Sequence, residues 1–316
     1  MKYDWVSFTS DYGRADGFVA ACTGIIVRMA PHVRVIDVTH DVPPGDIRRG
    51  AAVLAQTAGY LPSAVHLAVV DPGVGTQRRG LVLEIRRGIL VGPDNGLLLP
   101  AAEALGGILA AYELTEGAFW AYQPSPTFHG RDVFAPVVAH LATGVEPSKV
   151  GRELPVFDLV RLPEPLVRVR QGELTAEVLT IDRFGNVQLA AKAVDLESAA
   201  LRPPQHVAVT PDPMGSTAGA AAWKPSGLLD ERPAADAPAR PTAGAEPGTV
   251  NHGAGSGAVS RTLRGVVGRT FADVAPGELV LFVDSARHAA LAVNGGSAAE
   301  SLRVVQGQLV HVISCS

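Results

Sequence analysis

Residues 65–78 read Val-His-Leu-Ala-Val-Val-Asp-Pro-Gly-Val-Gly-Thr-Gln-Arg, an apolar run followed by a short polar loop. The apolar run predicts a buried β-strand. Asp71 follows at its end, and Gly73 and Gly75 allow tight turns and a close approach of a ligand to the main chain. Arg78 adds a permanent positive charge to the loop. Because ligands of open α/β sheets bind at the carboxyl ends of the strands, this loop is a candidate binding site.

Strand and helix patterns alternate on both sides of this loop. Further strands are predicted at residues 5–9, 33–38, 80–84 and 88–91. Helices are predicted at residues 17–30, at 46–58 and from about Gly130 onward. Strands separated by helices of this length indicate βαβ units and a mostly parallel sheet. We therefore predict an α/β catalytic domain over residues 1–163.

A second pattern begins near residue 170. Short strands without long helices between them are predicted at residues 174–181, 206–209, 278–283 and 288–293. They indicate a smaller, antiparallel, β-barrel-like domain over residues 170–316. Residues 213–261 interrupt it with a stretch rich in Ala, Gly and Pro, whose bulky apolar residues are Trp223, Leu228 and Leu229. This composition predicts a disordered or loosely held insertion.

Length and composition narrow the class of protein. The chain has 316 residues, of which 47% are hydrophobic, enough for two domains with cores of their own. A net charge of -4 without a long basic run favours a small-molecule partner over a nucleic acid. No apolar run reaches the roughly 20 residues that span a membrane. The first residues lead directly into a strand, and Cys22 and Cys315 form neither a disulfide framework nor a metal spacing, so we expect a cytoplasmic protein.

Polar residues follow each predicted strand of the first domain. Asp11 ends the first strand, Asp37 and His40 end the second, and Asp94 lies in a later Gly-Pro-Asp-Asn-Gly turn. If the strands are parallel, these residues gather with Asp71 at one edge of the sheet. Turn formation or helix capping is the alternative role for each aspartate.

His129 is placed at the start of a predicted helix by the sequence Phe-His-Gly-Arg-Asp at residues 128–132. Free backbone N–H groups and the helix dipole favour an anion at such a position. Helix capping or a surface position is the alternative for this histidine.

Seven motifs follow one another along the chain, at residues 8–13, 36–40, 70–76, 92–96, 128–136, 182–186 and 293–298. Together they resemble the S-adenosyl-L-methionine (SAM) hydroxide adenosyltransferase family, and the resemblance covers almost the whole chain outside the insertion. It implies hydrolysis of SAM to adenosine and L-methionine by a water-derived hydroxide that attacks ribose C5′. It also implies that neither a metal nor a cofactor takes part, and that the protein is a homotrimer with each site between two subunits.

The resemblance also implies roles for individual residues. Asp71, Arg78 and His129 match the residues that hold and activate the water, with Arg79 as the alternative arginine. Asp11 matches the aspartate that binds the ribose hydroxyls. The residues matched to substrate contacts in the second domain are Asp182 for the methionine ammonium, Phe184 and Asn186 for adenine, Ser285 near the methionine carboxylate, and Asn294 in the last motif.

The chemistry of this assignment is consistent with the residues. The sulfonium of SAM leaves as a neutral thioether and needs no acid, so the reaction lacks only a nucleophile. A carboxylate or an imidazole can take or orient a proton of water, and an arginine can stabilise the developing hydroxide.

Three alternatives stay open at this level. The first is that the chain is one of the related halide adenosyltransferases, although these lack the Asp-Arg-His set and have one extra residue, a proline, in the motif at residues 182–186. A metal-dependent phosphohydrolase would use Asp11, Asp37, His40, Asp71 and His129 around two cations. A non-catalytic adenosine or SAM sensor would bind the same ligand without turnover.

Overall fold

The structure is a computed structural model that describes residues 2–216 and 261–315. The predicted insertion at residues 213–261, with Trp223, Leu228 and Leu229, therefore lies almost entirely outside the described residues. Within the described ranges, every helix is too short or too polar to cross a membrane.

The first part of the chain builds one seven-stranded sheet with helices on both faces. Its strands are β1 (Trp5–Ser10), β2 (Arg34–Thr39), β3 (Ala64–Val69), β4 (Gly80–Ile85), β5 (Gly88–Pro93), β6 (Ile108–Leu114) and β7 (Gly151–Glu153). Its helices are α1 (Phe18–Met29), α2 (Ile47–Ala58), α3 (Leu99–Ala104) and α4 (Ala135–Thr143). The strand order is β2-β1-β3-β5-β4-β6-β7.

Strands β2, β1, β3 and β5 run parallel, which confirms the α/β prediction for this part. Strands β4, β6 and β7 are antiparallel to their neighbours. Strand β4 is antiparallel to β5 because only two residues, 86 and 87, connect the two strands. A turn that short can join only antiparallel strands, because a parallel pair needs a long crossover.

The helices bury one apolar stripe each. Cys22 and Ile26 of α1, four residues apart, are fully buried in the layer that α1 shares with α4. Leu54 of α2 is fully buried in the opposite layer, against Ala101 of α3. Asp46 begins α2, where its carboxylate accepts a hydrogen bond from the Arg49 N–H at 2.9 Å. The sheet is covered on both faces, and its strand ends and loops remain free to form a site.

The second part is a β-barrel, as predicted. Its strands are β8 (Val167–Arg170), β9 (Glu173–Ile181), β10 (Val187–Lys192), β11 (His206–Ser216), β12 (Leu263–Val267), β13 (Leu279–Val283), β14 (His288–Val293) and β15 (Gln308–Ser314). Two short helices, α5 (Ala193–Ser198) and α6 (Ala298–Leu302), pack beside them. The order is β10-β14-β13-β12-β11-β15-β9, and the pairing of β9 with β10 closes the barrel of seven strands.

Two details of the barrel differ from a simple antiparallel meander. Strands β12 and β13 are parallel, whereas the other pairs are antiparallel. Strand β8 pairs with the first half of β9 and lies outside the closed ring.

Helix α2 connects the two parts through side-chain amides. Gln56 donates to the side-chain oxygen of Gln188 in β10 at 2.8 Å, and Gln306 donates to Asp46 at 3.2 Å. Gln188 in turn donates to Asp284, in the loop between β13 and β14. The domain limits at residues 163 and 170 stay a prediction.

Candidate active site

A cavity of about 600 Å³ lies beyond the carboxyl ends of β1 and β3. It is bounded by the turn after β1, the start of α1, the turn before α2, the β3–β4 loop and the segment that precedes α4. The lining residues are Asp11, Tyr12, Phe18, Pro44, Gly45, Asp71, Pro72, Val74, Thr127, Phe128, His129 and Gly130. The loop at the end of the buried strand and the histidine of the Phe-His-Gly motif therefore face one cavity.

The β3–β4 loop packs closely against residues 125–129 because Gly75 has no side chain. Its φ is +79°, and a Cβ atom at this position would lie 2.7 Å from the Pro126 carbonyl oxygen. Both the backbone conformation and the contact exclude a larger residue without strain. The loop is braced internally by Thr76, whose hydroxyl donates to the Gly73 carbonyl at 2.7 Å. This packing brings Arg78 next to His129.

Arg78 bridges an acid and an imidazole on the cavity wall. Its Nε donates to Asp71 Oδ1 at 3.0 Å, and its Nη2 donates to Asp71 Oδ2. The same Nη2 lies 3.1 Å from His129 Nδ1. The Arg78 and Asp71 side chains are only 7% and 5% exposed. The three residues form one connected polar cluster.

The cluster fixes the protonation of the imidazole. A guanidinium has no acceptor, so Nδ1 of His129 accepts from Arg78 and the proton of the neutral ring is on Nε2. Burial and the nearby Arg78 charge lower the pKa of His129. Burial raises the pKa of the Asp71 carboxyl, and the Arg78 charge opposes that rise. The wall therefore carries a neutral imidazole, a permanent cation and a carboxylate that is more basic than in water.

Asp11 lies at another side of the same cavity. Its Oδ2 accepts a hydrogen bond from the Gly45 N–H at 2.8 Å. Burial raises the pKa of Asp11, and the bond from Gly45 partly offsets this. The neighbouring Tyr12 ring contacts Phe128 edge-on, with centroids 5.7 Å apart. Gly130 makes room for this ring, since a Cβ atom there would lie 2.0 Å from the Tyr12 hydroxyl oxygen.

His129 is followed by a π-helical turn, Gly130–Phe134, instead of the predicted start of a regular helix. The physical reason is Pro136, which has no N–H to donate to the Asp132 carbonyl four residues earlier. The Ala121 N–H takes that acceptor at 2.8 Å. Turns of this kind are frequent at functional sites. His129 precedes the turn and faces the cavity.

Arg79, the alternative arginine, lies elsewhere. Its Nε donates to Asp94 Oδ2 at 2.8 Å, and its Nη2 donates to the Asp158 carbonyl at 2.6 Å. Asp94 also accepts from the Val160 N–H at 2.9 Å. Asp94 and Arg79 therefore anchor the segment after β7 and do not line the cavity, although the sequence placed Asp94 with the other strand-end aspartates.

Asp37 and His40 lie behind the cavity wall and not on it. Asp37 is within 3.6 Å of Arg14, and the His40 ring is completely buried. Within residues 2–216 and 261–315, no group of three His, Cys, Asp or Glu side chains is spaced to hold a metal ion. Asp11, Asp37, His40, Asp71 and His129 thus do not form the ligand set that a two-metal phosphohydrolase requires.

Comparison with known families decides the class. The family model for the SAM hydroxide adenosyltransferase N-terminal domain matches residues 6–151, and the model for the C-terminal domain matches residues 248–311. The chain belongs to the SAM hydroxide adenosyltransferase family. This membership confirms the resemblance seen in the seven motifs.

Individual relatives of this adenosyltransferase extend the comparison. It is 50% identical to an (R)-S-adenosyl-L-methionine hydrolase of Salinispora tropica over 308 residues, which cover 98% of this chain and 97% of that protein. It is 30% identical to a fluorinase of an Actinoplanes species, over 62% of this chain and 74% of the fluorinase. A crystal structure of a conserved protein from Thermotoga maritima aligns with a TM-score of 0.76 and 28% identity, over 98% and 99% of the two chains.

In this adenosyltransferase, the residues matched to adenine and methionine contacts lie on the barrel, outside the cavity of the same chain. Asp182 organises its own loop, because its Oδ1 accepts from the Phe184 and Asn186 N–H groups, each at 2.9 Å, and its Oδ2 accepts from the Asn186 side-chain amide at 2.8 Å. Phe184 is 71% exposed. An exposed aromatic ring beside a rigid polar loop is a surface suited to contact a flat ligand.

Ser285 and Asn294 differ in their surroundings. Ser285 is exposed in the β13–β14 loop, where Asp284 accepts from the Ala286 and His288 N–H groups, each at 2.9 Å. Asn294 donates its side-chain amide to the Val274 carbonyl at 2.8 Å, which is a structural bond between loops.

The sequence analysis did not identify Pro44 and Gly45, which both line the cavity, or the hydrogen bond from the Gly45 N–H to Asp11. The available signal was the Pro-Pro-Gly run at residues 43–45, a typical turn immediately before a helix. That signal identifies a turn, but not the side chain that the turn contacts.

Proposed function

We propose that this protein hydrolyses S-adenosyl-L-methionine to adenosine and L-methionine. Its relative from Salinispora tropica, which carries the name of an (R)-S-adenosyl-L-methionine hydrolase, is 50% identical over nearly the whole chain. The fluorinase relative is more distant, at 30% identity over 62% of this chain. The observation that carries the proposal is the contact of one Arg78 nitrogen with both Asp71 and His129 on the cavity wall.

The cluster suits the activation of water. Asp71 takes a proton from water, and burial makes it a better base than a free aspartate. Arg78 stabilises the developing hydroxide, and His129 offers the Nε2–H to orient the same oxygen. The hydroxide oxygen bonds to ribose C5′ while the C5′–sulfur bond breaks, and the electron pair returns to sulfur. The proton on Asp71 then passes to solvent.

The leaving group explains why we propose a reaction without a metal or a cofactor. The sulfonium is already cationic, so the departing methionine thioether is neutral and needs neither protonation nor a Lewis acid. An in-line approach of the hydroxide to C5′ adds a proximity effect.

The remaining substrate contacts follow from the family resemblance. Asp11 binds the ribose hydroxyls, and Asp182 meets the methionine ammonium. The residues proposed for the other ends of the substrate are Phe184 and Asn186 for adenine, Ser285 near the segment that receives the methionine carboxylate, and Asn294 in the last family motif.

We also propose a homotrimer in which the cavity of one subunit meets the barrel of its neighbour. This arrangement is supported by the cavity lining, which comes from residues 11–130, and by two of the barrel residues proposed for the substrate, Phe184 and Ser285, which are exposed. The partner is a small molecule, with no nucleic acid or membrane involved. A cytoplasmic location, in keeping with the free cysteines Cys22 and Cys315, belongs to the same proposal.

The decisive experiment is turnover of SAM in oxygen-18 water, with product analysis by mass spectrometry. Label in the 5′-hydroxyl of adenosine is expected, because water supplies that oxygen. A parallel reaction with added chloride tests the halide alternative. Formation of 5′-chloro-5′-deoxyadenosine without adenosine would refute the proposal, as would binding of SAM without any turnover.

A further inference from the structure

A buried imidazole lies directly behind the turn that presents Asp11. His40 follows β2 and is 0% exposed. Its Nδ1 is 2.8 Å from the hydroxyl oxygen of Ser10, the last residue of β1, which is also completely buried. Its Nε2 is 3.2 Å from Asp37 Oδ1, without the alignment of a hydrogen bond. The ring also contacts Phe8 edge-on at 4.7 Å.

The direction of each proton in this group can be assigned. Among the described residues, His40 Nδ1 is the only hydrogen-bond acceptor available to the buried Ser10 hydroxyl, so the hydroxyl donates its proton to Nδ1 while its oxygen accepts from the Tyr12 N–H at 3.3 Å. The ring proton of His40 is then on Nε2, facing the Asp37 carboxylate. The backbone of His40 takes part as well, because its carbonyl accepts from the Gly13 N–H at 2.8 Å.

These contacts hold the turn that carries Asp11 on both of its flanks. Ser10 precedes Asp11, while Tyr12 and Gly13 follow it, and all three are tied to His40 directly or through Ser10. The Asp11 carboxylate itself bonds only to the Gly45 N–H at 2.8 Å among the side-chain hydrogen bonds of the described residues. Its remaining acceptor positions are available to a ligand in the cavity that it lines.

We propose that His40 is a positioning residue that acts through Ser10 to aim the Asp11 carboxylate at a vicinal diol of the ligand. This inference rests on the proposed function, in which the diol is that of the ribose. His40 touches neither the ligand nor the reacting atoms. Its effect is therefore on the affinity for the two hydroxyl groups and not on the chemical step.

The chain contains a matched control for this role. Ser7 and His66 form the same kind of pair, with the hydroxyl oxygen 2.8 Å from Nδ1 and exposures of 0% and 1%. Ser7 lies three residues before Ser10 in the same strand, and His66 lies in β3, so neither borders the Asp11 turn. If the loss of any buried serine–histidine hydrogen bond weakens ligand binding, substitutions in both pairs will weaken it. If the effect comes from positioning Asp11, only substitutions at Ser10 and His40 will.

The test compares the binding of adenosine with that of 2′,3′-dideoxyadenosine, which lacks the 2′- and 3′-hydroxyls of the vicinal diol and keeps the 5′-hydroxyl, by isothermal titration calorimetry. In Ser10→Ala, the adenosine Kd is expected to rise about tenfold, as the loss of a buried hydrogen bond predicts, while the Kd of the dideoxy analogue stays unchanged. Ser7→Ala is expected to change neither value. The variant His40→Leu should repeat the Ser10→Ala result, and His40→Asn, which keeps an acceptor near the position of Nδ1, should restore much of the adenosine affinity.

Kinetics provide a second readout. With SAM as substrate, Ser10→Ala is expected to raise KM with little change in kcat, since binding is weakened and the water-activating cluster is intact. Equal weakening of adenosine and its dideoxy analogue, an unchanged adenosine Kd, or the same pattern in Ser7→Ala would overturn the inference while leaving the proposed function in place. Absence of any SAM turnover by the unaltered protein would overturn the proposed function and this inference with it.

Discussion

The Arg78 guanidinium engages both carboxylate oxygens of Asp71, with Nε 3.0 Å from Oδ1 and Nη2 bonded to Oδ2. A two-point contact of this kind fixes the plane of the carboxylate as well as its distance. The position of Asp71 is thereby set before any ligand arrives, and Nη2 still reaches His129 at 3.1 Å. Preorganisation of this kind is what an electrostatic role in catalysis requires.

Replacing Arg78 by lysine tests this geometry. The variant Arg78→Lys keeps the charge but cannot contact both Asp71 oxygens and His129 together, so we expect kcat/KM to fall about 100-fold. The neighbouring substitution Arg79→Lys is the matched control, because Arg79 binds Asp94 away from the cavity. Steady-state kinetics of both variants measure the effect, and equal losses in the two would contradict the assignment.

Activity should decline on the acid side of neutrality. Asp71 must be ionised to accept a proton, and His129 must be neutral to accept from Arg78. Burial raises the pKa of Asp71 above 3.8, and burial with the Arg78 charge lowers the pKa of His129 below 6.5. Protonation of either group removes the function assigned to it, so kcat/KM is expected to fall as the pH is lowered. A profile from about pH 8 to about pH 4 measures this, and a profile that stays flat over this range is the contrary result.

His66 should make folding stability depend on pH. Burial lowers the pKa of His66 to about 4, from 6.5 in the unfolded chain. The unfolded state therefore binds more protons in this window, so stability is greatest above pH 6.5 and declines as the pH falls toward 4, by up to about 3 kcal/mol. The non-titrating variant His66→Gln should show a smaller decline. Urea unfolding at about pH 7 and about pH 4.5 compares the two proteins, and parallel losses would exclude His66 as the source.

Gly75 and Gly59 should respond in opposite directions to alanine. At Gly75 a Cβ atom meets the Pro126 carbonyl and the left-handed backbone, so Gly75→Ala is expected to lower stability by about 2 kcal/mol and to reduce turnover by displacing Arg78. At Gly59 the φ is -63° and no atom lies within 4 Å of the added Cβ, so Gly59→Ala is expected to be neutral or stabilising. Thermal unfolding and kinetics of both variants check this. A tolerated Gly75→Ala would show that the loop can move away.

Mixed oligomers test whether the substrate is shared between subunits. In the proposed homotrimer, Asp71→Asn impairs the cavity side and Asp182→Ala the barrel side, so each variant alone is expected to have little activity. After unfolding and refolding of an equal mixture, random assembly leaves about a quarter of the sites with both halves intact, and activity should return to about that fraction of the unaltered protein. Mixing without refolding is the control. No recovery would indicate that each subunit builds its site alone.

The fold was largely predictable because its signals are local. Alternating apolar strands and amphipathic helices between Trp5 and Val69 need no knowledge of distant contacts. The order of the strands could not be predicted in this way, because the periodicity of β4 and β6 indicates that they are strands but not which strands they pair with. The parallel pairing of β12 with β13 likewise depends on how the barrel closes.

In the active site, too, local motifs predicted some residues, whereas others depend on tertiary contacts. Asp71 and His129 stand in recognisable motifs, yet spacing alone could not decide between two consecutive arginines. Arg78 and Arg79 precede β4, and adjacent residues of an extended chain project to opposite sides, so only one of them can face Asp71. Which one it is depends on the position of Asp94, which binds Arg79. The burial of His40 behind the cavity is likewise a tertiary result that no local pattern encodes.

The pairing of β11 with β12 has a consequence for how this family can diverge. The register from His206 with Val266 to Val209 with Leu263 is set by ladder bonds and by the Thr210–Thr262 hydroxyl contact of 2.8 Å at its open end. The entropic penalty of closing a chain segment grows only with the logarithm of its length. The connection between these strands can therefore lengthen or shorten during evolution with little thermodynamic effect on the ring, which makes this hairpin a tolerant position for acquiring new sequence.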